Sequence, residues 1–444
     1  MASHLIKTVR KLDNLERAWR VIQENGRTST SDAVKLELET FGEDAPHNLR
    51  SLQARLNQGT FKFAKARGVP IPKLDSAGKS TGKHRPIVLA PVQSRIVQRA
   101  ILNVLLDVDA LGPFVQTPYS FGGIRGEQRR VGRKVLRTRT ESPSAVPAAI
   151  KAILTEIEGG ARFVVCADIR AFFTKIPKPA VTAIVADAVN DEEFLAFFRK
   201  AIDVELSNLA ELREKARDFP IEEIGVAQGS SLSPLLGNIV LASFDREMNE
   251  GDCRCIRYID DFIILAPTER AANARMRKAQ RLLASMTMEL SPEKSSKGAL
   301  SIRDGFDFLG INVCPGLIRP ASKAQERFLS SLDQAFDSGR KAMIAVENGQ
   351  DMERSRSLIA TLKRVDGMID GWGKHYWFCN DTQVMRNLDL KISEMVRGFL
   401  GAYRSVRGAV DASRHNQLLG LSELSSTSRD PFLYPSVPPS QQKL

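Results

Sequence analysis

An α+β fold is what this sequence predicts, and three observations predict it. Short apolar strand-like runs sit in the middle of the chain, at residues 162–169 and 253–266. Stretches with helical spacing of apolar residues lie on both sides of them. With 444 residues, 43% of them hydrophobic, the chain is long enough for two or three domains and a large core.

Taken in order, Val9, Leu12, Leu15, Trp19 and Ile22 recur at helical spacing and predict an opening amphipathic helix. Asp44 with Pro46 marks a helix start, Leu49, Leu52 and Leu56 line its face, and Gly59 ends it. Residues 69–73 and 85–89 read as extended, joined by the basic, glycine-bearing tip Asp75 to Lys83, so 69–89 should form a β-hairpin. Its Gly78-Lys79-Ser80-Thr81 run is not a phosphate-binding P-loop, because the leading glycine and the strand-to-helix setting are missing. Ile96 to Leu106 predicts a buried helix. Arg125, Arg129, Arg130, Arg133, Lys134, Arg137 and Arg139 form a one-sided basic cluster, either a solvated helix face or a nucleic-acid track. Ser142 to Pro147 reads as a linker, and 179–218 as mostly helical. Ser233-Pro234 should open a helix, since proline is tolerated in its first turn. Beyond Gly310 the pattern turns helical, with one stripe at Phe328, Leu332 and Phe336 and another at Leu358, Leu362, Val365, Ile369 and Trp372. Residues 422–444, rich in Ser and Pro, should lack fixed structure.

Composition narrows the function classes. The net charge of +12, from 64 Lys+Arg against 52 Asp+Glu, suggests a polyanionic partner such as RNA or an RNA–DNA hybrid. Five cysteines without a Cys-x-x-Cys pair argue against zinc ribbons and a disulfide framework. Met1-Ala2-Ser3-His4 lacks the apolar run of a signal peptide, and no stretch is apolar enough to span a bilayer, so a cytoplasmic location and no membrane partner are expected.

The chemistry is concentrated in three acids. Tyr258-Ile259-Asp260-Asp261 lies between two apolar strands, which puts an Asp pair at a hairpin tip. Asp is a good turn residue, but adjacent carboxylates repel, and hard Mg²⁺ prefers carboxylate oxygens. Arg162 to Ile169 is another apolar strand, with Asp168 at its end. Such an Asp can cap the next turn. Two strands delivering carboxylate to one point can instead hold two Mg²⁺ ions for phosphoryl transfer.

These residues carry a resemblance. Asp168-Ile169-Arg170-Ala171-Phe172-Phe173 resembles the first catalytic motif of reverse transcriptases. Gln228-Gly229-Ser230-Ser231-Leu232-Ser233-Pro234 resembles their second, and Tyr258 to Asp261 their third. Leu290 to Ser295 is similar to the lysine-bearing fourth, and Phe306 to Gly310 to the primer-contacting hairpin. Asn14 to Trp19, Leu49 to Thr60, His84 to Ile87 and Gln98 to Ile101 resemble the amino-terminal blocks of bacterial group II intron-type enzymes. The likeness covers roughly residues 10–380. It implies a right-hand polymerase: fingers in 1–165, a palm in 166–312, a helical thumb in 313–420, and a tail from 421 to 444.

By the same resemblance, Asp168, Asp260 and Asp261 are catalytic acids and, with the Ile169 main chain, ligands of two Mg²⁺ ions, or Mn²⁺. Asp261 would be a looser ligand or a group just behind the ligands, because neighbours in a strand alternate faces. Lys73 and Arg85 would contact the nucleotide phosphates, Gln228 the nascent base pair, and Lys294 the leaving pyrophosphate as a general acid. A solvated lysine at 73 or 294, and a Gln228 amide bonded to its own loop, are the alternatives. Phe173 falls where a bulky ring excludes the ribose 2′-hydroxyl, with one of Phe172 and Phe173 facing the core. The implied partners are dNTPs, a DNA primer or product, and a structured noncoding RNA template. No His-Asn or paired-cysteine endonuclease signature occurs, Val406-Arg407-Gly408 departs from the retron thumb signature, and Ser233-Pro234 replaces the Ser-Gln of diversity-generating elements. The chain therefore most resembles a stand-alone, defence-associated bacterial reverse transcriptase. The alternatives are an intron-type maturase or a catalytically idle RNA-binding scaffold.

Overall fold

A computed structural model describes residues 5–27, 29, 31–74, 80–115, 117–123, 145–422, 424 and 427–433. The basic cluster expected at Arg125 to Arg139, the hairpin tip at 75–79 and the end of the tail, 434–444, lie outside the described residues. The chain divides into two compact units, Met1–Asp304 and Gly305–Leu444.

The first unit opens with α1 (Leu5–Val9) and α2 (Leu12–Gly26), where a single helix was expected. The break falls at Lys11, which is extended at φ −65° and ψ 137°. It lets each segment turn its own apolar face inward: Ile6 and Val9 from one, Leu15, Ala18, Trp19 and Ile22 from the other. Helix α3 (Asp32–Glu43) follows, then α4 (Ala45–Asn57), whose Asp44 side chain accepts the His47 N–H at 3.2 Å as an N-cap. Strands β1 (Arg67–Leu74) and β2 (Ser80–Leu89) form the expected antiparallel hairpin, with Ile71 opposite Arg85. The buried α5 (Val92–Leu106) and the short α6 (Gly112–Val115) come next. Helix α7 (Ala145–Glu158) begins inside the stretch 142–147 expected as a linker. Its Pro147 lies in the first turn, where the missing N–H costs nothing, and Ala149, Ile150 and Ile153 draw it into the core.

A four-stranded sheet, ordered β4-β5-β3-β6, carries Asp168 and Asp261 at its strand ends. Its strands are β3 (Phe163–Asp168), β4 (Arg254–Tyr258), β5 (Asp261–Ala266) and β6 (Leu300–Ser301). Between β3 and β4 run α8 (Lys178–Ala188), α9 (Glu192–Ile202), α10 (Leu209–Leu212) and α11 (Ser233–Met248). Helix α12 (Glu269–Ser285) follows β5. Phe262 of β5 meets Phe244 of α11 edge-on, with ring centroids 5.4 Å apart, so the sheet's inner face is nailed to that helix.

The second unit starts with a three-stranded antiparallel sheet of β7 (Phe306–Phe308), β8 (Ile311–Cys314) and β9 (Leu317–Pro320). The helical pattern expected from Gly310 onward therefore starts later. Pro315-Gly316 makes a turn, with Gly316 at φ +78°, and returns the chain as β9 first. Then come α13 (Ser322–Glu347), α14 (Leu358–His375), α15 (Thr382–Ala409) and α16 (His415–Leu419). The two apolar stripes pack as core, and Trp372 stacks on Phe328 at 4.5 Å.

Candidate active site

Antiparallel pairing of β3 with β5 sets Asp168 directly opposite Asp261. Ile259 and Asp260 form the two-residue turn between β4 and β5, and the Asp260 carbonyl accepts the Ile169 N–H at 2.9 Å. The strand end is also clipped to the Glu289–Ser295 segment. Arg170 N–H donates to the Glu289 carbonyl and Ser291 N–H to the Asp168 carbonyl, both at 2.8 Å. All three acids, with Ile169, line one cleft of about 1160 Å³. The carboxylates separated by some ninety positions in sequence are thus brought together.

Their proximity is electrostatically costly. Asp261 is pushed up to about 7 by burial, then by the charges of Asp260 and Asp168 and a hydrogen bond with Asp168. Asp260 is also raised, first by burial and then by Asp168. The Lys294 ammonium donates to Asp168 Oδ2 at 2.5 Å. Burial pulls Lys294 down, but that hydrogen bond and the surrounding acids outweigh it and hold the group above the usual lysine value. An ammonium against buried acids marks a place that attracts cations.

Among the described residues, no three His, Cys, Asp or Glu side chains close into a ready-made metal cage. Magnesium in phosphoryl-transfer sites needs only one or two carboxylates, with water and substrate phosphates completing its shell. The all-oxygen set of Asp168, Asp260 and Asp261 fits that requirement.

The β1–β2 hairpin gives the cleft a basic wall that includes Lys73, Lys83 and Arg85. Lys73 is lowered, chiefly by burial and then by repulsion from Lys294 and Arg85. Lys73 and Arg85 in this lining offer cations to a polyphosphate, while Lys83 is paired with Glu293. Gln228 is held in this wall by its main chain, which accepts the Val88 N–H at 3.0 Å. Gly229 makes the approach feasible: at φ +112°, a Cβ there would stand 3.1 Å from the Val88 carbonyl oxygen. Pro234 sits in the first turn of α11, as expected, and the Ser233 hydroxyl donates to the Ala227 carbonyl at 2.7 Å.

Phe172 and Phe173 divide their roles. Phe172 is 2% exposed and packs on Gly237, where a Cβ would stand 2.8 Å from its ring. Phe173 is half-buried, and its ring lies 5.3 Å from that of Phe172.

Sequence reasoning missed two features. Lys83 pairs with Glu293 at 3.0 Å, linking the hairpin to the loop that carries Lys294. The hydrogen bond from Lys83 is the main reason the Glu293 carboxyl lies well below the usual range. Arg257 is wholly buried against Asp245. An arginine in the middle of the apolar strand Cys253 to Tyr258 was the available signal, because a buried charge demands a partner.

The reverse transcriptase (RNA-dependent DNA polymerase) family matches residues 71–313, more than half of the chain. The chain is 26% identical to Protein YkfC of Escherichia coli (strain K12), over 68% of this chain and 84% of that protein. It is also 26% identical to an uncharacterized 91 kDa protein in the cob intron of Schizosaccharomyces pombe, over 43% of this chain but only 19% of that protein. Among solved structures, a partial Cas6-RT-Cas1–Cas2 complex aligns with a TM-score of 0.33 and 19% identity, covering 64% of this chain and 42% of that one. On the extent of the family match, the chain is a member of the reverse transcriptase family, the RNA-dependent DNA polymerases, and has their right-hand fold.

Proposed function

We propose that this cleft adds dNTPs to a primer 3′-hydroxyl by two-metal phosphoryl transfer, copying an RNA template. The observation that carries the reading is Asp168 opposite Asp261, with Asp260 at the adjoining turn, in one cleft with Lys73 and Arg85. Two divalent cations, Mg²⁺ or Mn²⁺, would stabilise the attacking and leaving oxygens. Asp168 and Asp260 would be the main ligands, with Asp261 and the Ile169 main chain beside them. Lys73 and Arg85 would hold the triphosphate, Arg85 through its planar fork. Gln228 would pack on the nascent base pair and Phe173 under the sugar, selecting deoxyribose. Lys294 would leave Asp168 and give its proton to the pyrophosphate. Residues 1–165 would act as fingers, 166–312 as palm and 313–420 as thumb.

Primer extension on an RNA template with Mg²⁺ and dNTPs tests the reading. Wild-type protein should extend, whereas Asp168→Asn and Asp260→Asn should bind hybrid without extending it. Undiminished extension by Asp260→Asn, or a preference for rNTPs, overturns it.

The finer role we assign is bacterial antiviral defence with a dedicated noncoding RNA. The departures of Val406-Arg407-Gly408 from the retron thumb signature and of Ser233-Pro234 from the Ser-Gln of diversity-generating elements support it. A second reading, an intron-type splicing or mobility factor, is favoured by the likeness to a protein encoded in a cob intron. Sequencing the nucleic acid that copurifies from cells separates the two: a short structured RNA with its cDNA supports defence, and intron RNA supports the second reading.

A further inference from the structure

We propose that Arg257 is a positioning residue, which holds the Ile259–Asp260 turn in the strained geometry that presents Asp260 to Asp168. The inference rests on the polymerase reading of the cleft. Ile259 has φ +61°, a conformation that β-branched residues almost never adopt. In a two-residue hairpin turn that place normally belongs to glycine. Strain of this kind persists only where the surroundings enforce it, and it concentrates at functional sites.

Two constraints enforce it here. From inside, the Arg257 guanidinium donates through Nη1 to the Ile259 carbonyl at 2.9 Å. The same group is anchored through Nε and Nη2 to the two Asp245 carboxylate oxygens at 2.8 and 2.5 Å, and through Nη2 to Asn238 Oδ1 at 3.2 Å. Its main chain is fixed as well: Arg257 N–H donates to the Tyr119 carbonyl at 2.7 Å and Phe121 N–H to the Arg257 carbonyl at 2.9 Å. From outside, Gly122 lies against the turn. A Cβ on Gly122 would stand 2.6 Å from Ile259 Cγ1 and 2.8 Å from its backbone nitrogen.

A purely structural role does not account for this arrangement. A buried ion pair can often be replaced by apolar side chains without loss of stability. A planar guanidinium fork holds a carboxylate and a carbonyl in one fixed geometry. A lysine ammonium can bond both groups, but its flexible stem does not fix their relative positions.

The test compares wild type with Arg257→Lys, Arg257→Met/Asp245→Leu and Gly122→Ala. Mn²⁺ affinity is read by electron paramagnetic resonance without nucleic acid, alongside kcat, dNTP KM and hybrid binding. Folded variants should bind hybrid normally and keep their dNTP KM. Their kcat and Mn²⁺ affinity should fall by about 10- to 100-fold, the range typical for groups that orient metal ligands. A folded variant with wild-type kcat and Mn²⁺ affinity overturns the proposal. Should neither Arg257 variant fold, Asn238→Ala takes their place, because it removes one partner of the fork at Nη2 and leaves the Asp245 pair in place. If the wild type itself fails to extend a primer, the polymerase reading falls, while the Mn²⁺ measurement still reports on the brace.

Discussion

Replacing Asp261 with asparagine should stabilise the metal-free protein while disabling it. Asp261 is raised from the usual 3.8 to about 7 because burial and two neighbouring acids oppose its charge. The folded state therefore binds the Asp261 proton more tightly than the unfolded chain does. Between pH 3.8 and about 7 it carries more protons than the unfolded state, so stability falls as pH rises through that window. Above the window the whole penalty is present, and below it none. A rise of this size corresponds to about 4 kcal/mol at ~1.4 kcal/mol per pH unit. Solvent in the open cleft screens part of that, leaving roughly 2 kcal/mol. An unfolding entropy of ~2.1 cal/mol/K per residue, over a unit of about 300 residues, converts this to an increase of about 3 °C in Tm. Asparagine has the same shape and no charge. Thermal unfolding in EDTA should therefore show Asp261→Asn melting about 3 °C above wild type at pH 8, with the gain shrinking toward pH 5. Saturating Mg²⁺ should narrow the gap by neutralising the acids in the wild type. A variant no more stable than wild type at pH 8, or a gain independent of pH, would refute the electrostatic argument.

Three further outcomes follow from the same geometry. Phe173→Ala should admit rNTPs, lowering the preference for dNTPs by roughly 10- to 200-fold in competitive extension, the range open to a steric contact. Gly237→Ala puts a methyl group 2.8 Å from the Phe172 ring, so it should destabilise by about 1–3 kcal/mol in denaturant unfolding and, by displacing Phe172 toward Phe173, weaken sugar discrimination too. Glu293→Gln should leave Tm unchanged, because its pair with Lys83 is exposed. It should also lower the dNTP KM at low salt by releasing Lys83 toward the phosphates, an effect that vanishes at high ionic strength.

The parts of the site legible in the sequence were those specified locally. The β4 and β5 runs, the Asp260-Asp261 turn, the Ser233-Pro234 helix start and the Asp44 cap each follow from residues a few positions apart, where propensity and hydrogen-bonding reach decide. The family motifs added the order in which these pieces occur. The pairing that sets Asp261 opposite Asp168 in one cleft, by contrast, follows from strand register. That register depends on how β3 and β5 meet across nearly a hundred residues, which no local pattern encodes.

Other features were decided only by tertiary contacts. The break at Lys11 separates two short segments that each turn an apolar face inward. Arg257 in an apolar strand reads as an oddity until Asp245 and Asn238 arrive from α11 to receive its charge. Ile259 could not be read as left-handed, because a β-branched side chain opposes that conformation and the contacts with Arg257 and Gly122 are formed only on folding. The sequence alone determined which short segments become strands and turns and which acids are candidates for chemistry, since these depend on neighbours in the chain. The tertiary structure alone decided which charges meet, how they are buried and where the backbone is strained, because those energies arise between residues that are near only after folding.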